Sequence, residues 1–140
     1  ACDCVHETDE AVAVLGRLGS NICLASGGAV EQANGLRDTL RARAYFELDQ
    51  TFRLWLAGLT VSSDSVSART IWRQRARDII LNIALETTRE ASPAAVVGTQ
   101  IKDGKGKPMW MTVAKALALC QSSVRKCLPL EDDLVEVKEG

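Results

Sequence analysis

The sequence has few of the residues that most enzymes rely on. Its only histidine is His6, so no Ser-His-Asp or Cys-His catalytic set can be built in the rest of the 140-residue chain. Carboxylates do not recur at a metal-binding spacing such as E-x-x-H, and no G-x-x-x-x-G-K-[ST] phosphate-binding loop occurs. These absences predict a protein that is not an enzyme and that uses no cofactor.

Long apolar runs and targeting segments are also missing. No stretch of about 18 consecutive apolar residues occurs, so the sequence predicts no transmembrane helix. The first ten residues carry four acids and no basic residue, unlike a secretory signal peptide. The five cysteines are an odd number, which favours reduced thiols and a cytoplasmic protein. The chain begins at Ala1, which fits either loss of an initiator methionine or a piece of a longer protein.

The first residues contain one pattern typical of metal ligands. Cys2, Cys4 and His6 form C-x-C-x-H, but structural zinc usually takes four ligands at other spacings. We therefore favour a loose terminus over a metal site. The predicted organisation is a flexible terminus at 1–8, a helical domain at 9–130 and an acidic tail at 131–140.

Prolines are few, three in all, and the apolar residues between them recur at helical spacing. The longest such segment, 36–59, holds both phenylalanines, the only tyrosine and one of the three tryptophans. Gly58 is placed to end it, and Gly35 predicts a break before it. We expect the other helices to pack along this segment. Its predicted buried face consists of Leu48, Phe52, Trp55, Leu56 and Leu59.

Three more helices are predicted from the same periodicity. The first is capped by Thr8 or Asp9 and ends at Gly27-Gly28, the third spans 68–90, and the fourth begins at Pro108. Their predicted buried faces are Ala11, Leu15, Leu18, Ile22 and Ala25, then Trp72, Ala76, Ile79, Ile80 and Ile83, then Val113, Leu117, Cys120, Val124 and Cys127. The fold class predicted is all-α, an antiparallel four-helix bundle.

A basic loop precedes the last helix. Residues 98–107 hold Lys102, Lys105 and Lys107, and we interpret them as a mobile loop or a small hairpin that turns at Asp103-Gly104. Pro93 ends the third helix, and residues 94–97 are predicted to form a short turn.

Charge is unevenly distributed, with acidic ends and a basic body. Arg73 and Arg77 lie one turn apart on one flank of the third helix. With Lys102, Lys105 and Lys107 they predict a basic surface that binds a nucleic-acid backbone. The alternative is that these are solvated side chains of a soluble bundle.

At this point the residues resemble a known family. The run from Arg41 through Tyr45-Phe46 to Leu48-Asp49, followed by Phe52, is similar to a run in the C-terminal helical domain of the CasA family. This is the large subunit of the type I-E CRISPR complex Cascade. The resemblance extends over about residues 10–130. Its other parts are Trp72 before an Arg-rich helix, the 93–98 break, and the 113–129 helix with its proline stop.

The resemblance implies a role in antiviral defence as part of an RNA-guided complex. The implied partners are the other Cascade subunits with their guide RNA, target DNA, and a recruited helicase–nuclease. In the family, recognition of the protospacer-adjacent motif is attributed chiefly to a large N-terminal domain, and nothing in this sequence resembles that domain.

Two other functions stay open at the level of sequence. One is a helical protein–protein adaptor that binds no nucleic acid. The other is a metal-dependent enzyme that uses Cys2, Cys4 and His6, which we consider the weakest of the three.

Overall fold

A computed structural model describes residues 3–58, 65–91, 96–97, 105 and 111–130. Four helices form an all-α bundle, α1 (Asp3–Ala25), α2 (Val30–Gly58), α3 (Ser65–Arg89) and α4 (Val113–Cys127). The predicted fold class is confirmed. Between α3 and α4, the two-residue strands β1 (Val96–Val97) and β2 (Met111–Thr112) pair antiparallel, with Val96 opposite Thr112.

The first helix, and not the longest one, is the centre of the bundle. α1 packs against all three other helices and against β1. Contacts such as Asp9 with Tyr45 and Gly19 with Leu40 make α1 and α2 antiparallel. The expectation that the other helices pack along α2 holds for α1 and α3, whereas α4 packs on α1 and α3. α1 can occupy the centre because its buried face is wider than the predicted stripe, taking in Val12, Val14, Ser20 and Asn21 as well.

Local signals explain how α1 ends. The Gly28 N–H donates to the Cys23 carbonyl at 2.9 Å, and the Gly27 N–H donates to the Leu24 carbonyl at 3.1 Å. Gly27 has φ +86°, which only glycine adopts without strain. The Gly27-Gly28 end is thus confirmed. The predicted start at Thr8 or Asp9 is wrong, because α1 begins at Asp3 and residues 3–8 are helical.

The other helix bounds differ from the predictions in informative ways. α2 runs unbroken through Gly35, which lies on an exposed face where the extra backbone freedom causes no break. Residues 96–97 form a strand where a turn was predicted. α4 begins at Val113, not at Pro108, because the Thr112 hydroxyl accepts a hydrogen bond from the Lys115 N–H at 3.2 Å and caps it.

The core lies where the predicted stripes meet. On α3 Trp72, Ala76, Ile80 and Ile83 are buried and Ile79 is half-buried. On α4 Val113, Cys120 and Val124 are buried, and Leu117 and Cys127 are half-buried. Phe52 is the exception, because 38% of it stays exposed at the edge of the bundle. Leu59, Pro93, Asp103, Gly104 and the tail at 131–140 lie outside the described residues, as do the side chains of Trp55 and Leu56.

Candidate interaction surfaces

Three consecutive residues of α1 connect it to two other helices. Glu7 accepts two hydrogen bonds from the Arg73 guanidinium. Thr8 accepts one from the indole N–H of Trp72, at 3.2 Å. Both links join α1 to α3. Asp9 accepts one from the Tyr45 hydroxyl at 2.8 Å and joins α1 to α2. This end of the bundle is therefore held by side-chain hydrogen bonds as well as by apolar packing.

An open cavity of about 270 Å³ lies beside these hydrogen bonds, which we call the aromatic cavity. The Phe52 and Trp72 rings meet edge to face at its wall, with centroids 5.3 Å apart. Burial, and then the hydrogen bond to Asp9, raises the pKa of Tyr45. The lining residues are Val5, Thr8, Asp9, Tyr45, Leu48, Asp49, Phe52 and Trp72.

Exposed apolar side chains lie at the rim of the aromatic cavity and on other faces of α2. Val5 is 63% exposed at its rim, and on α2 Phe46 is 63% and Leu54 77% exposed. An apolar cavity with an exposed apolar side chain such as Val5 at its rim is typical of surfaces that bind another protein. The cavity walls also carry two carboxylates, Asp9 and Asp49.

The structure describes three of the five basic residues that the sequence predicts to bind nucleic acid, namely Arg73, Arg77 and Lys105. Arg73 forms an ion pair with Glu7, and Arg77 is only 8% exposed. Neither side chain therefore lies on an open basic surface. A helical wheel places both on one flank of α3, and on that flank Arg73 contacts α1 while Arg77 is buried. Lys105 is exposed in a turn. Lys102 and Lys107 lie outside the described residues, so binding of nucleic acid by the five residues stays a prediction.

The candidate metal ligands and the core cysteine are described in part. The His6 side chain is exposed, and its Nε2 lies 3.0 Å from Oε1 of Glu10. Within the described residues no three side chains of metal-binding type cluster, and Cys2 and the side chain of Cys4 lie outside them. Burial raises the pKa of Cys120 to about 12, and the charge of Arg17 opposes that rise. Cys120 is the core residue that its spacing predicts.

Comparison with known proteins finds similarity to a solved structure. The sequence matches no protein-family model and no curated protein. Its fold matches the crystal structure of Cse1 from Thermobifida fusca with a TM-score of 0.66 and 28% sequence identity. The match covers 89% of this chain. The resemblance to the type I-E large subunit is confirmed.

The match covers only part of the Cse1 chain. This chain corresponds to 22% of the length of that Cse1 chain. The described part of this chain is mainly helical. No helix in the described part of the chain is both long and apolar enough to cross a membrane. Five of the residues that carry the resemblance to the CasA family line the aromatic cavity, namely Tyr45, Leu48, Asp49, Phe52 and Trp72.

Proposed function

We propose that this chain is a non-catalytic helical domain of a type I-E CRISPR surveillance complex in antiviral defence. In it, the domain contacts neighbouring subunits and the backbone of target DNA. The observation that carries the proposal is the Cse1 match over 89% of the chain at 28% identity. The other Cascade subunits, guide RNA, target DNA and a recruited helicase–nuclease are the proposed partners, in the cytoplasm.

The aromatic cavity is the proposed contact with a neighbouring subunit. Its apolar walls offer a pocket for an apolar side chain, and the exposed Val5 enlarges the apolar area at its rim. Buried aromatic anchors contribute most of the binding free energy at many protein interfaces. Asp9 and Asp49 favour a partner segment that carries a basic residue next to its apolar anchor.

The loop lysines are the proposed contacts with DNA. Lys105 is exposed, and Lys102 and Lys107 flank it in sequence. Contacts from lysine to phosphate fix position on the backbone and discriminate little between sequences. Arg73 and Arg77 would reach a phosphate only if their surroundings rearranged, so we assign them no direct contact in this proposal.

The test uses a type I-E complex in which this chain replaces the matching part of the large subunit. Changing Lys102, Lys105 and Lys107 to glutamate should leave assembly intact, weaken target binding and flatten its salt dependence. The control R69E/R75E/R89E makes the same change in net charge at exposed positions of α3. Failure of the wild-type chain to join the complex would overturn the proposed function.

An adaptor that binds no nucleic acid is the second candidate. The aromatic cavity and the exposed Phe46 and Leu54 favour it, because these features suit a protein partner and need no DNA. In the same assay, normal assembly with DNA binding that responds to neither variant would favour the adaptor.

A further inference from the structure

A second concave surface runs between α1 and α4, away from the aromatic cavity. Two adjoining cavities of about 270 and 420 Å³ together form it, and we call it the α1–α4 groove. The residues that both cavities share are Val14, Arg17 and Ser123. Glu10 and Cys127 line one end of the groove, and Asn21 and Ala116 line the other, so α1 and α4 run antiparallel. The last turn of α4 therefore lies at the Glu10 end.

Basic side chains border the groove on both helices. Arg17 on α1 and Lys126 on α4 line it, and Lys115 lies on the same face of α4 as Lys126 by the helical repeat. All three side chains are exposed, and within the described residues none forms an ion pair with an acid. Glu10 is acidic, but its Oε1 lies 3.0 Å from Nε2 of His6. The groove therefore presents positive charge to a ligand.

A buried amide in the groove needs a hydrogen-bond donor. Asn21 is only 5% exposed, and its Oδ1 accepts no hydrogen bond from the described part of the chain. A phosphate offers this oxygen only further acceptors, whereas an extended peptide offers an N–H at each residue other than proline. Leu119, 38% exposed, adds apolar surface in the same cavity. These features together suit an acidic peptide that also carries apolar side chains.

The chain itself contains such a peptide shortly after α4. Residues 131–140, which we call the acidic tail, read EDDLVEVKEG and hold five acids and one lysine. The apolar residues among them are Leu134, Val135 and Val137. The acidic tail contains no proline, so each of its residues carries a backbone N–H donor.

We propose that the acidic tail occupies the α1–α4 groove of its own chain. The inference goes beyond the proposed function and does not depend on it. Acidic side chains of the tail pair with Lys126, Arg17 and Lys115. Its apolar side chains contact Leu119, and one of its N–H groups donates to Oδ1 of Asn21. The tail is thus a built-in cover that any other acidic ligand of the groove has to displace.

The length of the acidic tail matches the length of the groove. Lys115 and Lys126 are 11 residues apart on α4, about 16.5 Å by helical rise. Ten extended residues span up to about 33–36 Å, which allows the tail to turn back after α4 and still reach Lys115. Pro129 cannot continue α4 and so favours a turn at that point. Attachment to the same chain also gives the tail an effective concentration of about 1 mM, so weak pairing suffices.

The first experiment treats the 140-residue chain with a carbodiimide, which joins a carboxylate to a lysine amine in direct contact. Peptide mass spectrometry should find acids of 131–140 joined to Lys115, which is distant from all of them in sequence. The yield should fall severalfold between about 0.1 and 1 M salt, because the Debye length shortens from about 10 to about 3 Å.

Charge variants connect this cross-link to the groove. R17Q/K126Q should lower the yield at Lys115 about fivefold, since each exposed ion pair is weak and two are lost. The matched control R69Q/R75Q removes the same charge at exposed positions of α3 and should leave the yield unchanged.

An uncharged variant separates tail binding from folding. Asn21→Leu removes a buried acceptor without a donor, so the melting temperature should stay the same or rise. The same change should lower the cross-link yield at Lys115, because the tail loses a hydrogen bond. A residue with only a structural role would not give a stable variant with a looser tail.

A peptide added in trans tests the same contact without a cross-linker. In a chain that ends at Leu130, a synthetic peptide of residues 131–140 should shift the NMR amide signals of Leu119 and Ser123. The full-length chain should show smaller shifts, because its own tail already occupies the groove.

Several results would overturn the proposal. No cross-link to Lys115, or equal yields in wild type and R17Q/K126Q, would place the tail outside the groove. A cross-link found only in covalent dimers would assign the groove to the tail of a second copy. Shifts caused by poly-glutamate but not by the tail peptide would assign it to an acidic segment of another protein.

Discussion

Arg73 on α3 donates two hydrogen bonds to the carboxylate of Glu7 on α1, from Nε at 3.0 Å and from Nη2 at 2.5 Å. The side chains are 21% and 18% exposed, so water screens this pair less than it screens a surface pair. Two parallel N–H···O bonds also fix the geometry of the pair. The pair therefore sets how the start of α1 packs on α3.

The first prediction follows from this pair. Arg73→Met leaves the Glu7 carboxylate partly buried without these two hydrogen bonds, so the free energy of unfolding should fall by about 1–3 kcal/mol. Urea denaturation of R73M, E7Q and the double variant measures the coupling between the residues. The double variant should recover part of the loss. Strictly additive losses would mean that the two residues do not interact in solution.

The pair between Arg73 and Glu7 could not be predicted from the sequence. Periodicity placed most of the buried residues of α1, α3 and α4, because a stripe is a local property of one helix. On α2 it placed Leu48 correctly but missed Ala33, Leu40 and Ala44. It also put Arg73 on a helix flank, but it did not identify α1 as the neighbour of that flank. Glu7 is 66 residues away in the chain, and periodicity contains no information about such pairings. Periodicity therefore could not show that Arg73 pairs with Glu7.

Phe52 and Leu48 allow a direct test of the corrected core. Leu48 is 4% exposed, and Leu48→Ala should lower the free energy of unfolding by about 2–5 kcal/mol. Phe52→Ala should lower the free energy of unfolding by less than the roughly 3–5 kcal/mol typical of a fully buried phenylalanine, because 38% of Phe52 is already exposed. Thermal and urea unfolding of both variants give the comparison. A larger loss for Phe52→Ala than for Leu48→Ala would contradict this placement.

Gly19 allows α1 and α2 to approach closely. A Cβ at position 19 would clash with the Leu40 Cδ1, whereas at the exposed Gly35 it would meet nothing within 4 Å. Gly19→Ala should therefore destabilise the bundle by about 1–3 kcal/mol, as overpacking does. Gly35→Ala is the matched control and should stabilise slightly, since alanine favours helix by about 1 kcal/mol. Differential scanning calorimetry measures both, and shifts of the same sign would refute the close contact.

The buried thiol of Cys120 predicts a dependence on alkaline pH. Burial raises its pKa in the folded protein to about 12, against about 8.5 in an unfolded chain. Both states bind the proton at pH 7, so the thiol does not favour unfolding there. Between about pH 8.5 and 12 only the unfolded state releases the proton, so stability should fall as pH rises.

Cys120→Ala should therefore lower stability at pH 7 through lost packing, yet show a shallower decline between pH 8 and 10.5. Urea denaturation across that range measures the difference, and Cys23→Ala is the control because Cys23 is only half-buried. Alkylation followed by peptide mass spectrometry should find Cys120 modified more slowly than Cys23 in the folded protein, since the thiolate is the reactive form. Equal pH slopes in Cys120→Ala and wild type, together with rapid alkylation of Cys120, would place this thiol in contact with water.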